Sequence, residues 1–139
     1  MVRTRLDTVV RLREREEEKA AQSVAKAESA VRLAVERRDE AHARQMQDDR
    51  ARRDVSDWET SELAHHRALA DEKSAEKELE QARRTASQVR ATYTSAHQRA
   101  EVVRRVADAR RQESIREENR VEAKQLDEVA SLRFNRKAN

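Results

Sequence analysis

The chain has 139 residues, of which 42% are charged and only 2% are aromatic. So little apolar material cannot build the core of a compact globule of this length. Disorder would suit the same charge content, but Gly and Pro are absent and strong helix formers are abundant. The composition therefore predicts long helices rather than a globule.

The charge pattern bears on the class of partner. The net charge is +3, from 31 basic and 28 acidic residues that are interleaved along the chain. A nucleic-acid-binding surface needs a longer stripe of one sign, so we expect no nucleic-acid partner. No cysteine is present, which fits a reducing compartment, and no apolar run approaches the length that spans a membrane. We expect a soluble, cytoplasmic protein.

A first helix is predicted over residues 4–48. Thr4 is placed to cap its first turn, and Asp7 complements the positive end of the helix. From there, positions spaced alternately four and three residues apart form a coiled-coil seam. The members of this seam are Leu6, Val10, Arg13, Glu17, Ala20, Val24, Ala27, Val31, Ala34, Arg38 and Ala41. The charges among them make the seam partly polar.

A chain reversal is predicted over residues 49–55, where the seam spacing is lost. Basic residues such as Arg50 suit the negative end of a helix, and Ser56 with Glu59 forms a capping box that opens a second helix. This second helix is expected over residues 56–136. The alternative is one continuous, kinked helix that dimerises with a second copy.

The second helix repeats the seam spacing over a longer stretch. Its seam consists of Trp58, Ser61, His65, Ala68, Glu72, Ala75, Leu79, Ala82, Ala86, Val89, Tyr93, Ala96, Ala100, Val103 and Ala107. The many alanines favour a partner helix whose backbone approaches closely. We therefore predict an all-α fold, a single domain over residues 1–139, in which the two helices form an antiparallel coiled-coil hairpin.

Trp58 admits two interpretations. Because it is in phase with the seam, we place it in the seam at the turn end of the hairpin. The alternative is an external docking patch formed by Trp58 with Leu63 and Leu69.

The expected register follows from centring the reversal near residue 53. It places Val31 opposite Ala75, and Leu6 opposite Ala100. The second helix then overhangs its partner from about Val103 onward. A mostly solvated helix with a few apolar residues at its tip implies a further binding partner.

No catalytic or cofactor motif is evident. The histidines His42, His65, His66 and His97 contain no pair spaced three or four residues apart, so we expect solvated side chains rather than metal ligands. The absence of Gly excludes a phosphate-cradling loop. We expect a protein that is not an enzyme and that needs no cofactor or metal.

Both ends of the chain resemble a known family. The opening RLDTVVRLREREEEKA, residues 5–20, and the ending ENRVEAKQLDEVASLRF, residues 118–134, are similar to the two ends of the flagellar export protein FliJ family. Trp58 at the opening of the second helix is also similar. The sequence departs from some relatives in that its turn lacks Gly and Asn.

The resemblance implies a non-enzymatic stalk of the flagellar type III export apparatus, similar to the γ subunit of rotary ATPases. Such a stalk inserts into the hexameric ring of the export ATPase, FliI, promotes its assembly and activity, contacts the export gate protein FlhA, and escorts chaperones. It lies in the cytoplasm at the base of the apparatus. The implied ring-contacting residues are Leu6, Val9, Leu12, Arg13, Asn119, Arg120, Lys124, Leu126, Asp127, Ala130 and Arg133. The implied gate-contacting residues are Leu63, Ala64 and Leu69.

Two other functions remain open at this stage. One is the equivalent stalk of an injectisome secretion system, which shares the architecture. The other is a self-associating coiled-coil scaffold without an ATPase partner. The alanine-rich seam favours a monomeric intrachain hairpin over a scaffold dimer.

Overall fold

A computed structural model of the chain describes residues 5–51 and 58–138, and all of these residues are helical. Helix α1 spans Arg5–Ala51 and helix α2 spans Trp58–Ala138. The two helices pack against each other within one chain, and α2 is the longer. The predicted all-α hairpin is confirmed. The predicted caps at Thr4 and Ser56 lie outside the described residues.

The helices extend slightly beyond the expected bounds. Helix α1 continues through Asp49 and Arg50 to Ala51, in the stretch where the reversal was expected to begin. None of these residues breaks a helix, and Arg50 complements the negative charge of the helix end. The first helix therefore ends later than its seam does.

The described residues form two compact units. The central unit comprises Arg15–His97, and the terminal unit comprises the described parts of Met1–Glu14 and Gln98–Asn139. Within its described residues, neither helix contains an apolar stretch of the length that crossing a membrane requires.

The core of the central unit is almost entirely alanine. Its buried residues are Ala20, Ala27, Ala34 and Ala41 on α1, and Ala68, Ala75, Leu79 and Ala86 on α2. On α1 they recur every seven residues, the spacing of a coiled-coil seam. Other expected seam residues of this unit, among them Val24, Val31, Val89 and Tyr93, are half-buried.

Trp58 does not belong to this seam. Its residue surface is 72% exposed, against the expectation that it covers the turn end. The cross-helix polar contact nearest to the reversal that the structure gives joins Asp49 to His65, with 3.2 Å between Oδ1 and Nδ1. Since Trp58 lies about two helical turns before His65, it stands beyond the stretch where the helices pair.

The expected register of the central unit is wrong. It places Glu28 opposite Glu78, whereas Glu28 pairs with Arg90 at 3.2 Å and Glu78 pairs with Arg37 at 3.5 Å. The observed register brings opposite charges together where the expected one would have apposed two carboxylates. The observed partners lie 12 residues further along α2 than expected for Glu28 and 9 residues further for Arg37, a shift of about three helical turns.

The terminal unit pairs the start of α1 with the middle of α2. Asp7 contacts Arg111 at 2.8 Å and Glu14 contacts Arg104 at 3.4 Å, while Ala100 and Ala107 are buried. Val10 and Val103 of the expected seam are half-buried here. Leu6 was expected opposite Ala100, but the pairing of Asp7 with Arg111 moves the contact along α2. The overhang therefore begins near residue 112 rather than at Val103.

The seam charge at Glu17 has a partner. Its side chain is only 15% exposed, and its Oε1 lies 2.6 Å from Nδ1 of His97, which is itself half exposed. The register expected from the sequence gave Glu17 no such partner. The pair compensates a carboxylate that the seam partly removes from water.

Glu17→Leu is expected to stabilise the central unit by about 1 kcal/mol, because the apolar area that leucine buries outweighs the lost contact of the carboxylate with the half-exposed His97 ring. Urea unfolding followed by far-UV circular dichroism measures the change. Glu18→Leu, the same substitution at an exposed position, is the matched control. A lower unfolding midpoint for Glu17→Leu than for the parent chain would contradict the argument.

Candidate interaction surfaces

One flank of the paired part of the terminal unit is charged. Asp7 with Arg111, and Glu14 with Arg104, lie along a groove that Val10 and Ala107 also line. The hydrogen bond to Asp7, together with its negative charge, raises the pKa of the Arg111 guanidinium above its ordinary value. We name Asp7, Glu14, Arg104 and Arg111 the ion-pair flank. Its charges are compensated within the chain.

The opposite flank is apolar. Val9 and Leu12 on α1, with Val102 and Val106 on α2, are all exposed, Val102 to 60%. At about 100° per residue, Val9 and Leu12 stand roughly 140–200° around α1 from the carboxylates of the ion-pair flank. The same rotation separates Val102 and Val106 from the arginines. We name these four residues the apolar flank.

The heptad repeat supports the pairing of Val9 with Val106. Each precedes a seam residue, Val10 or Ala107, by one position. Such positions face each other across an antiparallel coiled coil. In the central unit, Arg37 and Glu78 occupy the equivalent positions, four heptads away along each helix, and form an ion pair. The terminal unit thus has valines where the central unit has opposite charges.

The end of α2 is exposed on all sides. Every residue of the stretch 112–138, which we name the C-terminal segment, is solvent-exposed. At 1.5 Å per residue it is about 40 Å long. Its large apolar side chains are Ile115, Val121, Leu126, Val129, Leu132 and Phe134. A helix with this many exposed apolar residues in a chain with 42% charge points to a binding role.

Charge changes along the C-terminal segment. Acidic residues occur up to Glu128, whereas every charged residue after it is basic. Arg133, Arg136 and Lys137 surround Phe134 and line a shallow concavity with it. The last two turns of α2 therefore present an aromatic ring among three cations, an arrangement suited to an acidic surface with an apolar centre.

The expected ring-contacting residues fall into two separate sets. Val9 and Leu12 belong to the apolar flank, while Leu6 and Arg13 are half-buried beside the seam. The remaining expected residues, all exposed on the C-terminal segment, are Asn119, Arg120, Lys124, Leu126, Asp127, Ala130 and Arg133. Exposed apolar residues of the terminal unit that were not among the expected contacts include Val102, Val106 and Leu132.

The expected gate-contacting residues lie in the central unit, near the start of α2. Leu63 and Ala64 are exposed, and Leu69 is half-buried. Trp58 is also exposed. These side chains are therefore available to a partner, although successive ones point in different directions around the helix.

Each histidine lies beside a carboxylate. The pairs are His42 with Glu72 at 2.8 Å, His65 with Asp49 at 3.2 Å, His66 with Glu62 at 3.3 Å, and His97 with Glu17 at 2.6 Å. Within residues 5–51 and 58–138, no group of three or more His, Asp or Glu side chains could hold a metal ion. Three of these contacts join the two helices, and the contact of His66 with Glu62 lies within α2.

Comparison with known proteins decides the family. The family model described as "Flagellar FliJ protein" matches residues 1–139, the whole chain. The chain belongs to the flagellar FliJ family. As a FliJ-family member it is a component of the flagellar type III export apparatus, which favours the flagellar over the injectisome interpretation of the sequence. No curated protein and no solved structure matches the chain.

Proposed function

We propose that this FliJ-family protein is a non-enzymatic central stalk that inserts into the ring of the export ATPase and promotes its assembly and activity. The observation that carries the proposal is the C-terminal segment, about 40 Å of helix exposed on all sides. Exposed aliphatic residues such as Leu126 and Val129 supply anchors, and the mixed charges around them suit a polar lumen.

The two ends of the chain act together in this proposal. Arg120, Lys124 and Asp127 offer charges of both signs along the C-terminal segment, and Val9 and Leu12 add contacts from α1. The stalk works in the cytoplasm at the base of the apparatus, as a monomeric hairpin. Leu63, Ala64 and Leu69 in the central unit contact the export gate protein, and the hairpin also escorts chaperones.

Removing the C-terminal segment is expected to abolish stimulation of the ATPase. A chain that ends after Arg111 keeps the pair of Arg111 with Asp7, so the hairpin should fold. We expect ATP turnover and hexamer formation by the cognate ATPase to lose at least nine-tenths of the stimulation that the full chain gives, because the stalk loses every anchor of the C-terminal segment. Steady-state ATPase assays and solution mass measure both effects.

The control for this truncation is the helical content and melting of the shortened chain, measured by circular dichroism. Equal stimulation by the full and the shortened chain would refute the stalk proposal. A self-associating scaffold, the second candidate function, would instead give a solution mass above that of one chain and no effect on the ATPase.

A further inference from the structure

The terminal unit has two unlike flanks. On the ion-pair flank, carboxylates and arginines neutralise each other at 2.8 and 3.4 Å. On the apolar flank, Val9, Leu12, Val102 and Val106 remain exposed. In the central unit, by contrast, both flanks carry ion pairs, Glu28 with Arg90 on one and Arg37 with Glu78 on the other. Nothing in the folding of a coiled coil requires the apolar flank, since charged residues fill equivalent positions elsewhere.

The size of the apolar flank argues against a second copy of the chain as its occupant. Four partly exposed aliphatic side chains offer on the order of 300 Å², whereas a stable dimer buries about 800 Å² on each partner. The flank is therefore one part of a larger contact. A partner that covers it must also bind elsewhere on the chain.

The continuity of α2 joins the apolar flank to the C-terminal segment, for which the proposed function names the ATPase ring as partner. Val106 and the C-terminal segment belong to the same helix and the same compact unit, and Leu126 lies about 30 Å further along the helix from Val106. A partner that encloses the C-terminal segment extends readily to the apolar flank. We propose that the apolar flank seats the stalk against apolar side chains of the export ATPase ring, so that the stalk engages the ring through one side only.

This inference rests on the proposed stalk function and specifies which side of the stalk contacts the ring. The apolar flank supplies apolar contact area, so polar substitutions there weaken the binding of the stalk to the ring. The ion-pair flank offers only charges that already have partners within the chain. The stalk is then held in one rotational orientation against the ring subunits that it touches. A chain with two equivalent flanks would bind in either orientation.

Site-specific photocrosslinking tests which flank contacts the ATPase. A benzophenone amino acid replaces Leu12 on the apolar flank or, as the matched control, Arg11, which lines the groove of the ion-pair flank at the same level of α1. Each full-length variant is irradiated with the assembled ATPase. The probe at Leu12 is expected to crosslink to the ATPase at least fivefold more than the probe at Arg11. Equal yields from both positions, or crosslinks mainly between two copies of the chain, would overturn the inference.

A second measurement makes the flank polar. Val9→Ser with Val106→Ser is expected to raise the stalk concentration needed for half-maximal ATPase stimulation about tenfold, since both side chains are exposed and the hairpin should remain folded. Arg11→Ser with Asp108→Ser, on the other flank, should leave it within about twofold.

The two proposals fail in different ways. If polar substitution of the flank has no effect while Leu126→Ala with Val129→Ala still weakens stimulation, the stalk function stands and the one-sided seating is wrong. If neither double variant changes stimulation, the contact lies elsewhere on the chain, and both the anchoring role of Leu126 with Val129 and the one-sided seating are wrong. If the parent chain gives no stimulation at all, the stalk function itself is refuted. Circular dichroism of each variant confirms that a loss of stimulation does not come from unfolding.

Discussion

Replacing Ala86 by glutamate is expected to destabilise the central unit by about 3 kcal/mol, enough to unfold much of a marginally stable hairpin. Ala86 is only 3% exposed, in a seam whose buried residues are almost all alanine. A longer side chain must push the helices apart, and its carboxylate would lose water without gaining a partner.

Urea unfolding followed by far-UV circular dichroism measures this effect. The matched control is Ala91→Glu, the same substitution at an exposed position of the same helix, which should shift the free energy of unfolding by less than about 0.5 kcal/mol. Indistinguishable midpoints for the two variants would mean that the seam at Ala86 is not tightly closed.

Leu126→Ala combined with Val129→Ala is expected to weaken ATPase stimulation by about a hundredfold in the concentration required. The two side chains lie within one turn of the C-terminal segment, and Leu126 is 69% exposed. Apolar anchors at an interface commonly contribute 1 to 3 kcal/mol each, so losing both costs about 3 kcal/mol. The fold should not change, because neither residue packs in the core.

Titration of ATP turnover with the full-length double variant provides the measurement. Leu33→Ala with Met46→Ala removes a similar exposed apolar area from the central unit and should leave stimulation unchanged. If the control weakens stimulation as much as the test variant does, the effect reflects lost apolar surface in general. Unchanged stimulation by the test variant would remove this part of the C-terminal segment from the contact.

The helices and most of the seam could be predicted because their signals are local. Spacings of three and four residues place Ala27 and Ala34 on the seam face of α1, and Ala86 on the seam face of α2, whatever the rest of the chain does. The overhang also follows from unequal helix lengths. Trp58 shows the limit of this reasoning, because its heptad phase is right but it lies beyond the stretch in which the helices meet.

The register could not be predicted in the same way. An alanine seam offers nearly identical layers whenever one helix is shifted by seven residues along the other. The register therefore depends on pairs of residues far apart in the sequence, such as Glu28 with Arg90, and on where the chain reverses. The apolar flank could not be predicted either, because it too depends on the register. Val102 and Val106 are off the seam spacing, and they become a surface only when the register brings them beside Val9 and Leu12.

The alanine seam also sets the thermal behaviour of the fold. A methyl group buries little apolar area, so unfolding exposes little new apolar surface to water and the heat capacity rises only slightly. The enthalpy and entropy of unfolding then vary weakly with temperature, and the free-energy curve is broad and shallow. The stability of such a fold is modest, and near its maximum it changes only slowly with temperature.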